Sequence, residues 1–309
     1  MKTEKIKGLV AAPFTPMNSN GSINVDVIPE LFELYKHNNI TGVFINGSTG
    51  EGLELTVDER KALAEAWDKV VSKDFKLLVH VGHSSLEEAK TLARHAANCS
   101  SVAGISTVGP FYRKPDSVER LVDFCREVAA AAPQTPFYYY HIPSLTGVDL
   151  PMYEFLERAA EEIPTLAGIK YSHNDFVDYS RCLQYQDGRF DLIFGSDELL
   201  SCGLMLGAEG FIGSTYNLFP LLYHQIFKAF SAGDITEVRK LQNRSMNYVR
   251  IIDRYGYAAA AKRLMKRLGV NCGPARLPLH TPTEQQMEEL EQVLRRQDFF
   301  SYALQKVNA

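Results

Sequence analysis

The amino-acid sequence predicts an α/β protein, a (β/α)8 barrel with a C-terminal helical extension. Three observations predict it. Eight short apolar runs recur along the chain, helical patterns with start signals lie between most of them, and 309 residues that are 45% hydrophobic can bury a large core as one unit.

The strands read GLVAAPF (8–14), GVFING (42–47), KLLVHVG (76–82), GISTVG (104–109), PFYYYHI (136–142), LAGIKYS (166–172), DLIFGS (191–196) and GFIGST (210–215). Each is rich in Val, Ile, Phe or Tyr, too short for a helix, and followed by a turn signal. Helix starts are legible between them. Thr56-Val-Asp-Glu59 and Ser85-Leu-Glu-Glu88 have capping-box spacing, in which hydroxyl and glutamate each satisfy an orphan backbone N–H. Asp116-Ser-Val-Glu119 is a weaker version. Downstream, Leu63, Trp67 and Val70–Val71 keep helical spacing, as do Leu92 and Ala96, then Leu121, Phe124 and Val128.

Repeated strand–helix alternation means a parallel sheet, and eight units match a closed barrel. An open doubly wound sheet would use fewer strands, and no GxGxxG follows the first one. From Leu218 onward, amphipathic segments at about 218–232, 234–255 and 284–306 form the helical extension. No low-complexity linker interrupts the chain. Residues 1–309 therefore read as a single domain, with 1–217 the barrel core and 218–309 the last barrel helix and the extension.

Composition narrows the function. A net charge of -4 leaves no basic footprint for nucleic acid or an anionic membrane, and Arg295–Arg296 reads as a solvated helix face. Five widely spaced cysteines without a CxxC argue against a disulfide framework or structural zinc and suit a reducing compartment. The start, MKTEKIKGLVAAPF, has too short an apolar run for a signal peptide, and no stretch approaches a membrane span. The expected location is the cytoplasm, where the sequon at Asn46 has no meaning.

Barrel chemistry gathers at the C-terminal ends of strands. The unusual residues fall there: Ser48 and Thr49 after strand two, Tyr140 late in strand five, Lys170 late in strand six, Asp197 and Glu198 after strand seven, and Ser214 ending strand eight. Lys76 and Asp191, at strand starts, read as stability or solvation. Lys170 sits in LAGIKYSHND, at the end of a strand apolar on both faces. Period two puts it with Gly168 and Leu166 without choosing a face. It either snorkels to solvent or is a desolvated amine. Burial favours a neutral amine, which can attack a carbonyl and form a Schiff base, an electron sink for breaking or making a neighbouring C–C bond.

INGSTGEG (45–52) brackets two hydroxyls with glycines after a buried strand. It is either a plain turn or a small anion site of backbone N–H groups and hydroxyls. Without GxxxxGK[ST] it does not suit a nucleotide, and a carboxylate fits better. In FYYYHIPSLTG (137–147), Tyr138 and Tyr139 read as core, while Tyr140 reaches the barrel mouth and His141 reads as structural. In GSDELL (195–200), Ser196 or Asp197 suits a helix N-cap, and both acids suit hydrogen bonds from a polyol. A metal site is not supported, because His80 and His83 would lie on opposite strand faces and no HExxH is present.

Taken together, GSTGE at 47–51, Tyr140-His-Ile-Pro143, GIK at 168–170 and GST at 213–215 resemble the dihydrodipicolinate synthase and N-acetylneuraminate lyase superfamily in order and spacing. The resemblance implies a Schiff-base aldolase barrel without cofactor or metal, usually a homotetramer, with pyruvate as donor or product. It is greater to the lyase branch. The synthases carry an arginine where this chain has Leu145, and tend to have two threonines in place of Ser48 and Thr49. Carried over, Lys170 forms the imine, Ser48 and Thr49 hold the 2-oxo acid carboxylate, and Tyr140 relays the proton at the C4 hydroxyl. Gly195, Asp197, Glu198 and Ser214 are expected on the polyol tail, with Ser172 near the reacting centre and Tyr112 lent across a subunit interface. The implied reaction is reversible cleavage of N-acetylneuraminate to pyruvate and N-acetylmannosamine. Another 2-oxo acid, such as 2-keto-3-deoxygluconate, stays open. Presence of both Lys170 and Tyr140 disfavours a non-catalytic sugar-acid-binding protein, and a pyridoxal phosphate enzyme would be coloured as purified.

Overall fold

A computed structural model describes residues 4–306. The strands are β1 (Gly8–Ala11), β2 (Gly42–Ile45), β3 (Lys76–His80), β4 (Val102–Val108), β5 (Phe137–His141), β6 (Leu166–Tyr171), β7 (Asp191–Phe194) and β8 (Gly210–Gly213). All neighbours pair in parallel, in sequence order, and β8 closes on β1 with Leu9 opposite Phe211. The expected (β/α)8 barrel is present, each strand ending within a few residues of its sequence-predicted run.

Between the strands lie α1 (Ile28–His37), α2 (Val57–Val70), α3 (Leu86–Ala97), α4 (Val118–Ala130), the single turn α5 (Pro143–Thr146), α6 (Met152–Glu162), α7 (Phe176–Gln184) and α8 (Leu200–Leu206). Thr56 and Glu59 make the full reciprocal capping box on α2, a cap contributing about 1 kcal/mol. On α3, Ser85 accepts from the Glu88 N–H. The cap of α4 is Ser117, which accepts from the Arg120 N–H, and not Asp116. After β8 come α9 (Pro220–Ser231), α10 (Ile235–Asp253), α11 (Tyr257–Leu268) and α12 (Glu284–Arg296). The sequence reading found three of these and missed α11, whose first turns are alanine-rich and carry little periodic signal. No described helix is long and apolar enough to cross a membrane.

Two cores follow from strand alternation. Leu9, Val43, Leu77, Ile105, Tyr139, Ile169 and Phe211 face the helices. Val10, Phe44, Leu78, Tyr138, Tyr140, Ile193 and Ile212 fill the barrel. Tyr138 and Tyr139 are thus core on opposite faces, as expected. In β6 the alternation breaks. Register slips between Leu166 and Gly168 against β5, so Leu166 faces the helices while Ala167 joins the interior. Lys170 therefore does not share a face with Leu166; it pairs in register with inward Tyr140 and Ile193. At the other end of the barrel, Asp191 accepts hydrogen bonds from the Ile6 N–H (3.0 Å) and the Tyr138 hydroxyl (3.2 Å). Burial pushes its carboxyl up to about 6.

Candidate active site

Lys170 is 5% exposed, and its Nζ lies over two aromatic faces, 3.7 Å from the ring centroid of Tyr140 and 4.4 Å from that of Phe44. Phe44 meets Tyr140 edge-on at 5.5 Å, and His80 meets Tyr140 edge-on at 6.1 Å. The amine is sunk inside the barrel and does not snorkel. An aromatic face attracts a cation by up to about 2 kcal/mol when water is excluded.

Above this cluster opens a cavity of about 990 Å³, lined by Ser48, Thr49, His80, Leu145, Ser214 and Tyr257 among others. Lys170 and Tyr140 do not line it, but His80, whose ring meets that of Tyr140, does. Two turn bonds shape the GSTGEG loop, from the Glu51 N–H to the Ser48 carbonyl (3.1 Å) and from the Gly52 N–H to the Gly47 carbonyl (3.0 Å). Neither uses the amides of Ser48, Thr49 or Gly50. Glycine is required at 52, where a Cβ would sit 1.8 Å from the Asn46 carbonyl oxygen.

The loop is anchored from below. Glu51 has φ +55°, a conformation costing an L-residue roughly 1–2 kcal/mol. Its carboxylate is buried against Lys262 of α11 at 2.6 Å and accepts the Arg276 N–H at 2.6 Å. Arg276 continues to the Glu59 carboxylate and the Gly21 carbonyl, and holds Glu59 down to about 2. Beneath β3, the buried Arg60 guanidinium donates to the carbonyls of His80 (2.7 Å) and Gly82 (2.8 Å). His80 Nδ1 faces the Asn46 carbonyl at 3.0 Å. Burial first, then the charges of Arg60 and Lys170, hold this imidazole neutral, well below its ordinary value. His83 lies beyond the strand end, so the argument from opposite strand faces does not apply to it; its Nδ1 accepts the Ser85 N–H.

Past the ends of β6 and β7, Ser172 Oγ is buried without a hydrogen-bond partner and packs against Gly195, where a Cβ would sit 2.0 Å away. Asp197 does not cap the turn that follows. Its Oδ2 accepts the N–H (2.9 Å) and hydroxyl (2.7 Å) of Thr215, tying the end of β7 to the end of β8. Burial, with Glu198 adding, pushes its carboxyl up to about 7, while Thr215 and the Lys170 charge pull the other way. Glu198 is part-exposed beside it. Ser214 Oγ lies 3.1 Å from the Tyr257 hydroxyl. Tyr112 is 88% exposed and follows Phe111, which lines the cavity.

The structure thus groups Lys170, Tyr140, Ser48, Thr49, Ser172, Gly195, Asp197, Glu198 and Ser214 around the C-terminal end of the barrel, with Tyr112 pointing to solvent. Sequence reasoning missed His80, Tyr257 and the Glu51–Lys262 pair. A glutamate with positive φ and a lysine on an unpredicted helix give no local signal.

Fold and site define a lysine-centred barrel of the kind that handles small carbonyl compounds. The sequence profile of the dihydrodipicolinate synthetase family matches residues 5–297, and the chain belongs to that family. It is 39% identical over 304 residues to N-acetylneuraminate lyase of Rattus norvegicus, covering 97% of this chain and 95% of the relative. Among solved structures, Proteus mirabilis N-acetylneuraminate lyase superposes with a TM-score of 0.93 at 35% identity, over 96% of this chain and all of that one. A catalytic lysine mutant of Ruminococcus gnavus sialic acid aldolase superposes with a TM-score of 0.88 at 27% identity, over 94% of this chain and 95% of that one.

Proposed function

We propose that this protein is a Schiff-base aldolase, a carbon–carbon lyase that reversibly cleaves N-acetylneuraminate to pyruvate and N-acetylmannosamine. The observation that carries the reading is Lys170, a buried amine over the Tyr140 face below a hydroxyl-lined cavity. The names of the related lyases supply the substrate, and the catalytic lysine mutant of the Ruminococcus gnavus aldolase supports a lysine in this role.

Lys170, in its deprotonated form, attacks the C2 ketone of the open-chain sugar acid; the carbinolamine hydroxyl takes the Tyr140 phenol proton and leaves as water, giving the iminium and a Tyr140 phenolate. That cation stays where Tyr140 and Phe44 already present their rings, so the aromatic cradle favours it through the reaction. The Tyr140 phenolate takes the C4 hydroxyl proton, the C3–C4 electron pair moves toward the iminium, and N-acetylmannosamine leaves as an aldehyde. The re-formed Tyr140 phenol protonates the enamine left behind at C3, and the phenolate recovers a proton from the hydrolytic water. Water then hydrolyses the imine, releasing pyruvate and restoring the amine.

Ser48, Thr49 and the free amides of their loop hold the substrate carboxylate. Ser172 offers its unpartnered hydroxyl beside the reacting carbons. Gly195 leaves room for the chain of hydroxyls, to which Glu198, Ser214 and the Oδ1 of Asp197 hydrogen-bond. Leu145 lines the mouth where a second carboxylate would want a cation, which favours a sugar acid. We read the chain as one domain, supported by Lys262 reaching from the extension to the loop of β2. A homotetramer in which Tyr112 crosses an interface is supported by its exposure. A cytoplasmic setting is supported by five unpaired cysteines.

The test is pyruvate release from N-acetylneuraminate by purified protein, with 2-keto-3-deoxygluconate in parallel. Turnover of the first supports the reading. Turnover of the second alone keeps the aldolase and moves the substrate.

A further inference from the structure

β5 ends in a histidine one residue past Tyr140, and the turn after β6 carries a second one three residues past Lys170. Tyr140 points into the barrel, so His141, the next residue, points outward and packs on Tyr171 with ring centroids 5.0 Å apart. Beyond Lys170 the chain reaches His173, whose ring crosses that of His141 at 73° with centroids 5.3 Å apart. Nε2 of His141 lies 3.4 Å from Nδ1 of His173, and Asp149 Oδ1 lies 3.9 Å from the same Nδ1. The three ligating atoms fall within 4.8 Å of one another.

Two imidazole nitrogens and a carboxylate oxygen are a donor set for borderline divalent ions, whereas calcium and magnesium ask for oxygen alone. Spacing agrees. Metal–nitrogen bonds of about 2.0–2.1 Å in tetrahedral geometry place neighbouring ligand atoms about 3.4 Å apart. The two nitrogens already stand at that separation. The Asp149 side chain is 69% exposed and free to close on His173 from 3.9 Å and on His141 from within 4.8 Å, and the part-exposed His173 leaves a path for entry.

We propose that His141, His173 and Asp149 form a binding site for a zinc-class divalent ion, outside the barrel and distinct from the imine centre. The ion joins the turn after β5 to the turn after β6, the segments that follow Tyr140 and Lys170. Nδ1 of His141 is buried without a partner, so the usual outer hydrogen bond to a ligating histidine is missing. That deficit weakens a site by roughly 10–100-fold, which puts expected affinity in the micromolar range and makes occupancy reversible.

The experiment uses chelator-stripped, dialysed full-length protein titrated with Zn²⁺ by calorimetry, with Co²⁺ as a visible-absorption probe. Wild type is expected to bind one equivalent that His173→Gln loses by tenfold or more and the surface change Asp149→Asn weakens. Zn²⁺ should raise the melting midpoint of wild type and leave that of His173→Gln unmoved. Circular dichroism shows whether each variant is folded, and Asp149→Asn decides the question if His173→Gln is not. Equal binding by wild type and Asp149→Asn, or none by wild type, would overturn the site. Zinc held elsewhere, for instance at the His95–Glu65 pair, survives both changes and is subtracted.

Discussion

Replacing Lys262 with methionine isolates the anchor of the loop proposed to bind the substrate carboxylate. The lysine and Glu51 side chains are 1% and 3% exposed and 2.6 Å apart, 211 residues distant in sequence. Methionine keeps the length and apolar stem but strands the Glu51 carboxylate in the interior, with the Arg276 N–H as its remaining neighbour. Breaking a buried pair by removing one partner costs about 3–5 kcal/mol. At roughly 2–3 °C per kcal/mol for a chain of this size, the melting midpoint should fall by roughly 6–15 °C. Because Glu51 holds its positive φ through this contact, the loop should also shift beneath Ser48 and Thr49. KM should rise about tenfold, equivalent to about 1.4 kcal/mol of lost carboxylate binding, with kcat changed less. The assays are calorimetry and steady-state pyruvate release. Adding Glu51→Gln removes the stranded charge, and the double variant should recover part of the loss. A fall under about 2 °C, with KM unchanged, would show that the pair does not hold the loop.

Three further changes probe separate parts of the account. Tyr140→Phe should lower kcat by about 10²–10⁴ and leave the melting midpoint nearly unmoved, since the ring contacts with Phe44, His80 and Lys170 remain; turnover within tenfold of wild type would remove Tyr140 from proton transfer. Gly213→Ala would place a Cβ 1.9 Å from Asp197 Oδ1, costing about 1–3 kcal/mol by overpacking; an unaltered urea midpoint would refute the close approach. Asp191, raised to about 6 from an ordinary 3.8, stays protonated in the fold while the unfolded chain has already ionised. Its stabilising effect is complete below about pH 4 and lost as pH rises through about 6, roughly 3 kcal/mol in all. Urea melts of wild type against Asp191→Asn should therefore diverge with rising pH, to the disadvantage of wild type, and a constant difference across that range would reject the buried neutral acid.

Much of this was legible in the sequence because it is local. Each strand of the barrel carries its own apolar run and turn, and Thr56 and Ser85 announce their helices. The burial of Lys170 was legible because a charge ending a two-sided apolar strand is anomalous on its face. What escaped was set by packing at a distance. The register slip in β6, which separates Leu166 from the Lys170 face, depends on pairing with β5. Asp197 reads as a cap until β8 delivers Thr215 to its carboxylate. α11 hides in alanines, which favour a helix without marking a face, so Lys262 and Tyr257 gave no sign of reaching the barrel mouth. His141 and His173 stand 32 residues apart and meet only because adjacent parallel strands end together.

The central claim is that Lys170 forms the imine. Protein incubated with pyruvate and borohydride, digested and analysed by mass spectrometry, tests it directly. The account predicts a reduced pyruvate adduct on the peptide carrying Lys170, loss of activity in proportion to labelling, and neither in Lys170→Met. An adduct on another lysine with Lys170 unlabelled, or pyruvate release by folded Lys170→Met, would contradict it.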